Sequence, residues 1–138
     1  EELKENIKKL NLSDNVFLVG KINGNLKQKF LESSDIFVMP SYKVNNSIEG
    51  FGISYIEAAA YRIPSIAGLD GGVTDAVIDK KTGWCVDPLN QEQLANVLRD
   101  AINNKDQRQK YGLHAEKKFL QYFLGEKVFR KFMDTISI

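Results

Sequence analysis

Short apolar runs that alternate with helical patterns constrain the fold of this chain more than any other feature of its sequence. Four runs look like buried strands: Val16-Phe17-Leu18-Val19, Ile36-Phe37-Val38-Met39, Ile63-Pro64-Ser65-Ile66-Ala67 and the weaker Trp84-Cys85-Val86. Helical periodicity lies between them and before the first, where Leu3, Ile7 and Leu10 recur at helical spacing. This order predicts an α/β fold: a Rossmann-like, doubly wound parallel sheet with helices on both faces.

Beyond Asp87-Pro88 the pattern changes to helices alone. Residues 91–102, 107–122 and 126–136 each have helical character, and Asn103-Asn104 and Leu124-Gly125 separate them. Extra C-terminal helices should therefore follow the sheet. At 138 residues the chain has the length of one domain, so residues 1–138 are expected to form a single one. The chain does not open with Met, which suggests a fragment of a longer protein.

Composition and charge exclude several classes of function. The formal charge of +1 is too close to neutral to indicate nucleic-acid binding. Cys85 is the only cysteine, which excludes an intrachain disulfide and a cysteine metal cluster and fits a cytoplasmic protein. No apolar stretch approaches the roughly 20 residues that span a bilayer. Residues 105–131 are locally basic, and a solvated helical face is favoured there over a patch for anionic lipid.

Residues 49–57 form the strongest candidate site. They read Glu-Gly-Phe-Gly-Ile-Ser-Tyr-Ile-Glu, between a predicted strand and a predicted helix. Glycines on both sides of Phe51 leave backbone N–H groups uncovered at the positive end of the helix, an arrangement that binds phosphate. If the helix begins near Phe51 or Gly52, Glu57 lies about 7.5 Å along its axis and can accept hydrogen bonds from two ribose hydroxyls. Each glutamate alone also has a purely structural explanation, at a helix N-terminus or beside Arg62 or Tyr61.

Two further loops should join this site, because ligands of open parallel sheets bind at the carboxyl ends of the strands. The loop after Val19 carries Gly20-Lys21, and the loop after Ala67 carries Gly71-Gly72 before a short helix expected to be capped at Thr74 or Asp75. A plain loop explains the glycine pair equally well. His114 is assigned to the surface, and no catalytic triad, metal-ligand cluster or Walker-type loop is present in the sequence.

Over nearly its whole length the chain resembles the C-terminal, donor-binding half of retaining GT-B glycosyltransferases, of the group 1 or family four type with an E-x7-E motif. The residues that carry the resemblance are Pro40-Ser41, Glu49-Gly50-Phe51-Gly52 with Glu57-Ala58, Pro64, Gly71-Gly72, Lys81-Thr82-Gly83-Trp84-Cys85-Val86-Asp87-Pro88 and Phe123-Leu124-Gly125-Glu126-Lys127-Val128. Thr74 and Asp75 depart from the Pro and Glu that the family commonly has there.

The resemblance implies that the parent enzyme transfers a sugar from a nucleoside diphosphate sugar, with a UDP-sugar favoured, to an acceptor hydroxyl in polysaccharide or glycoconjugate synthesis. No metal or other cofactor is implied. Glu49 would be the catalytic residue that contacts the donor sugar, and Glu57 would bind the ribose. The remaining donor-binding residues would be Gly50, Phe51, Gly52, Ile53, Gly20, Lys21, Ile22, Gly71 and Gly72.

The resemblance also implies missing parts. The family's phosphate-clamping Arg and Lys and its acceptor-binding domain lie before the first residue of this chain. The fragment alone is therefore expected to be inactive, and the parent enzyme to work in the cytoplasm, with a peripheral membrane contact left open. Two alternatives remain: a non-catalytic α/β interaction domain of the same fold, and a phosphorylase, for which no cofactor-binding Lys motif is visible.

Overall fold

The computed structural model describes residues 1–22, 24–42, 52–69 and 72–125. The chain divides into two compact units, Glu1–Phe30 and Leu31–Ile138. The first unit contains helix α1, Glu2–Lys9, and most of helix α2, Gly24–Ser33. Glu2 and Glu5 lie in the first turn of α1 and Lys8 and Lys9 in its last, a distribution that opposes the helix dipole and stabilises this short helix.

Residues 16–19, predicted to be a strand, do not form one, so that prediction is wrong. The Val16 N–H donates to the Leu12 carbonyl at 2.9 Å and closes the turn that follows α1. The residues described in this unit include no second strand that could complete a hydrogen-bonded ladder. An apolar run of four residues carries too little pattern to distinguish a strand from other apolar segments.

The second unit contains a three-stranded parallel sheet in the order β1-β2-β3. The strands are β1 Phe37–Met39, β2 Ser65–Ala67 and β3 Gly83–Cys85. Val38 pairs with Ile66, and Ile66 pairs with Trp84. Helix α3, Ile53–Ala60, connects β1 to β2, and helix α4, Val73–Ala76, connects β2 to β3. Three of the four predicted strands are thus confirmed, and no strand end differs from the prediction by more than two residues.

Helices cover both faces of this sheet, as predicted. On one face, Ala67 packs with Tyr55 of α3 and with Val73 and Ala76 of α4. On the other face, Ile66 and Trp84 pack with residues of two further helices, α5 Gln91–Asn103 and α6 Lys105–Tyr122. Neighbouring residues of β2 therefore point into different clusters, as the alternation of side chains along a strand requires.

The two long helices meet at one asparagine. Asn104 ends α5 and caps α6, and its Oδ1 accepts from the Gln107 N–H at 3.0 Å. This cap explains why α6 begins at Lys105, two residues before the predicted start. The helix predicted over residues 126–136 lies outside the described residues. Within the described ranges, no helix is long and apolar enough to cross a membrane.

Candidate functional site

The loops that follow β1 and β2 meet at the carboxyl edge of the sheet. A Cβ atom added to Gly68, the residue after β2, would lie 2.0 Å from the carbonyl oxygen of Ser41, two residues after β1. Only glycine permits this approach of the two backbones. Two of the three loops expected to converge therefore do so within the second unit.

Gly52 begins α3 at this edge. It is the N-cap residue, buried, with φ 73° and ψ 66°, and as a glycine it has no side chain that could cap the helix. The Tyr55 N–H donates to the Gly52 carbonyl at 3.0 Å. The N–H groups of Ile53 and Ser54, in contrast, have no acceptor within the helix and point toward this edge. The predicted helix start near Phe51 or Gly52 is confirmed to within two residues, since the first helical residue is Ile53.

Tyr55 holds this helix start against β1. Its side chain is 1% exposed, its hydroxyl donates to the Met39 carbonyl, and its ring meets the Phe37 ring edge-on with centroids 5.7 Å apart. A Cβ atom added to Gly52 would lie 2.5 Å from Cδ2 of the same ring. The tyrosine thus fixes the N-terminus of α3 relative to the end of β1. Sequence reasoning missed this role, because the hydrogen bond joins residues 16 positions apart and has no local pattern.

Glu57 is the fifth residue of α3 and is partly exposed. In an α-helix the Cα–Cβ bonds tilt toward the N-terminus, which favours reach of the Glu57 side chain toward the start of α3. A salt bridge with Arg62 was one structural explanation for Glu57. The Arg62 Nε instead donates to the Glu116 carboxylate of α6 at 2.7 Å. Glu57 thus lies about one turn past the first residue of α3, and its role in binding stays a prediction.

Ser41 adds a polar atom to this edge that sequence reasoning did not single out. Its Oγ is buried and has no hydrogen-bond partner among the described residues. Leaving a buried hydroxyl unsatisfied costs ~1–3 kcal/mol. A ligand oxygen bound at the strand ends would offset that cost.

Gly72 lies at the start of α4, but the capping predicted there is wrong. Gly72 is itself the N-cap residue, and Thr74 and Asp75 lie inside the four-residue helix. The Asp75 N–H donates to the Gly72 carbonyl at 3.1 Å, so the chain already turns at Gly72. At its other end α4 is held by Lys118, whose Nζ donates to the carbonyls of Asp75 and Ala76.

The remaining predicted site residues fall into three groups. Glu49, Gly50, Phe51 and Gly71 lie outside the described residues. Gly20, Lys21 and Ile22 lie in the first unit, where Gly20 has a φ of 63°. Ile53, the first residue of α3, is 73% exposed at the edge described above.

Other reactive side chains have structural surroundings. Burial, followed by the nearby Asp79 carboxylate, raises the pKa of the Cys85 thiol from 9.0 to about 11, so at neutral pH it is a protonated thiol and a poor nucleophile. His114, expected at the surface, is partly buried, with Nδ1 3.1 Å from the Lys81 carbonyl oxygen. Within the part of the chain described, no three His, Cys, Asp or Glu side chains are grouped to hold a metal.

Comparison with known proteins gives one family and a set of related folds. Residues 1–118 match the family model described as glycosyl transferases group 1. A GDP-mannose-dependent monoacylated alpha-(1-6)-phosphatidylinositol monomannoside mannosyltransferase of Corynebacterium glutamicum is 29% identical over 85% of this chain and 32% of its own length. The chain thus spans about a third of the length of that relative.

Solved structures agree with the family match. The C-terminal domain of LpcC, a glycosyl transferase group 1 family protein of Francisella tularensis, has a TM-score of 0.77 and 26% identity over 88% of this chain and 60% of that one. HepE of Anabaena, solved with UDP, has a TM-score of 0.85 and 23% identity over 99% of this chain and 36% of its own. The fold is that of the C-terminal domain of GT-B glycosyltransferases.

Proposed function

Because the chain belongs to the glycosyl transferases group 1 family, we propose that it binds the donor in an enzyme that moves a sugar from a nucleoside diphosphate sugar to an acceptor hydroxyl with retention of anomeric configuration. The observation that carries the proposal is the start of α3. It lies at the carboxyl edge of a parallel sheet, its N-cap residue is a glycine without a capping side chain, and the packing of Tyr55 against Gly52 and β1 holds it in place. Open parallel sheets bind ligands at this edge.

The chemistry of this edge suits a nucleoside diphosphate. Uncovered N–H groups at the positive end of α3 are donors for phosphate oxygens, and they need no reorganisation when negative charge develops on the departing diphosphate. In this proposal the amides of Gly50, Phe51, Gly52 and Ile53 bind the sugar and phosphates. Transfer then needs no metal ion, because helix N–H groups and basic side chains stabilise the leaving group.

The two carboxylates, Glu57 and Glu49, are assigned to different parts of the donor. We assign Glu57 to the ribose, because one carboxylate can accept from two neighbouring hydroxyls and its position on α3 is within one helical turn and a half of the start. Glu49 is assigned to the donor sugar as the catalytic residue. Gly71 and Gly72 complete the phosphate side, and Gly20, Lys21 and Ile22 border the base.

The identity of the base and sugar is a separate proposal. A UDP-sugar is our first candidate. The Corynebacterium relative is named for its dependence on GDP-mannose, which makes GDP the competing base. The acceptor belongs to an additional domain of the parent protein, which we place in the cytoplasm or at the cytoplasmic face of the membrane.

Calorimetric titration of the full-length parent protein with UDP, GDP and ADP tests donor binding. We expect one of the three to bind, and the absence of heat with all three would overturn the proposal. The base that binds most tightly identifies the donor class and decides between UDP and GDP.

The variant Glu57→Gln tests the assigned role of that residue in the same protein. Loss of the charge should lower kcat/KM at least tenfold, while the thermal midpoint stays unchanged. Glu116→Gln is the matched control, since its amide oxygen can still accept from Arg62. Equal activity of both variants would favour the non-catalytic interaction domain instead.

A further inference from the structure

A groove of about 370 Å³ lies between α6 and the turn that leads into β3. Its lining includes Ile78, Lys81, His114, Lys117, Lys118 and Tyr122. The α6 residues recur three or four positions apart and so lie along one face of the helix. Residues 78–82 precede the amino end of β3, whereas the donor site lies where the strands end, so this groove is a separate feature.

The groove concentrates positive charge. Lys81 and Lys117 are exposed, and neither is ion-paired with a carboxylate within the described ranges. Burial, opposed by the Asp75 carboxylate and assisted by the Lys81 ammonium, lowers the pKa of Lys118. Lys81 and Lys118 both line the groove, so an anion bound there would be attracted by both charges.

The polar groups of the groove are partly fixed before any ligand binds. The Lys118 Nζ donates to the Asp75 and Ala76 carbonyls, which leaves one of its three N–H donors. The His114 Nδ1 lies 3.1 Å from the Lys81 carbonyl oxygen, an acceptor only, so Nδ1 carries the proton and donates. In the neutral ring Nε2 is then an acceptor, for a donor of the organic part of a ligand rather than for a phosphate oxygen. Apolar surface lies beside these groups, because Ile78 is 38% exposed and Tyr122 is 55% exposed.

We propose that this groove is a second ligand site, which binds a phosphate ester whose phosphate lies among the Lys81, Lys117 and Lys118 ammonium groups and whose apolar part contacts Ile78 and Tyr122. Phosphate suits the groove because several ammonium donors can share its oxygens. The volume exceeds that of a phosphate alone and leaves room for the organic part of the ester. The ester is either a soluble small molecule or the headgroup of a lipid.

Titration of the full-length parent protein with phenyl phosphate tests the site, with phenol as the probe that lacks the phosphate. We expect phenyl phosphate to bind in the presence of saturating UDP or GDP and phenol not to bind. Displacement of phenyl phosphate at a nucleotide concentration that only just saturates the donor site would place it there and overturn the proposal. Sedimentation with phosphatidylglycerol and phosphatidylcholine vesicles is the second arm.

The two arms distinguish the source of the phosphate. Binding of phenyl phosphate assigns the groove to soluble esters. Binding only to phosphatidylglycerol vesicles assigns the groove to a lipid headgroup, provided that Lys81→Gln with Lys117→Gln weakens this binding. Binding to neither probe would overturn the proposal.

A pair of double variants locates the binding. Lys81→Gln with Lys117→Gln removes two charges from the groove, and Lys105→Gln with Lys110→Gln removes two exposed charges of α6 that do not line it. We expect the first pair to weaken binding at least tenfold and the second less than twofold. Equal weakening by both pairs would mean that the net charge of the protein, rather than the groove, attracts the ester, and it would overturn the proposal. In the unsubstituted protein, the bound ester should also protect Lys81 and Lys117 from acetylation, and absence of protection would contradict the site.

Discussion

At position 52, both the backbone conformation and the packing require glycine. Its φ of 73° is disfavoured for any residue with a Cβ, and an added Cβ would lie 2.5 Å from the Tyr55 ring. We therefore predict that Gly52→Ala lowers the free energy of unfolding by ~2–4 kcal/mol, the sum of the left-handed conformation and the forced shift of a buried ring. Urea denaturation followed by circular dichroism measures the change.

Gly24→Ala is the matched control for this substitution. Gly24 is the first residue of α2, and a Cβ there meets nothing within 4 Å. Because alanine is the better helix former, we expect no loss of stability. If Gly52→Ala were as harmless as Gly24→Ala, the conformation described for the start of α3 would be wrong.

Cys85 makes stability depend on pH in a defined direction. Its thiol has a pKa of about 11 in the folded chain, against 9.0 without the burial and the Asp79 carboxylate. The unfolded chain therefore loses this proton first, so the thiol's contribution to stability is complete below pH 9 and is lost as the pH rises toward 11.

Alkylation of Cys85 by iodoacetamide checks this shift, because only the thiolate reacts and the chain has no other cysteine. At pH 8 we expect the folded chain to react about a hundredfold more slowly than the chain in urea, as a two-unit difference in pKa requires. Equal rates in the two states would show that the thiol is not shielded.

At the scale of elements, Asn104 joins α5 to α6, and loss of its side chain should weaken the start of α6. Its Oδ1 accepts from the Gln107 N–H at 3.0 Å, and its own N–H donates to the Asp100 carbonyl at 3.0 Å. Only the first bond depends on the side chain. We predict that Asn104→Ala lowers the free energy of unfolding by ~1 kcal/mol, the usual value of an N-cap side chain.

Asn103→Ala separates the cap from a general loss of polarity at this junction. Asn103 is the last residue of α5 and is exposed. Alanine has the higher helix propensity, so its substitution should be neutral or slightly stabilising in the same urea experiment. A loss as large as that of Asn104→Ala would mean that the junction, rather than the cap, holds the helices.

The sequence predicted the elements that have local signals. It failed where contacts between residues distant in the chain determine the structure. Asn90 caps α5, so the start of that helix at Gln91 was predictable from the residues themselves. The start of α3 was predictable from its glycines. The Tyr55 hydrogen bond to Met39 spans 16 positions, and the buried Ser41 Oγ depends on the meeting of two loops; neither has a local pattern. Residues 16–19 had a local pattern but no neighbouring strand in their unit.

At the scale of the whole molecule, the family, the fold and the position of the helix start agree with one another. The family match covers residues 1–118, and the sheet edge that the fold offers to a ligand is the edge where Tyr55 fixes Gly52 and where Gly68 meets the Ser41 backbone. Sugar transfer needs more, because an acceptor must be held against the donor.

The isolated chain should therefore differ from the full-length parent protein in activity. We predict that residues 1–138 alone transfer no labelled sugar and gain little thermal stability from the nucleotide that the parent binds. The parent, at a nucleotide concentration of about 100 Kd, should gain ~2.7 kcal/mol of stability. The reason is that the proposed phosphate clamp and acceptor domain belong to segments outside this chain, which spans 32% of the Corynebacterium relative. Parallel assays of radiolabelled transfer and of thermal unfolding measure both quantities. Transfer by the isolated chain at the rate of the parent would show that this chain already holds a complete active site.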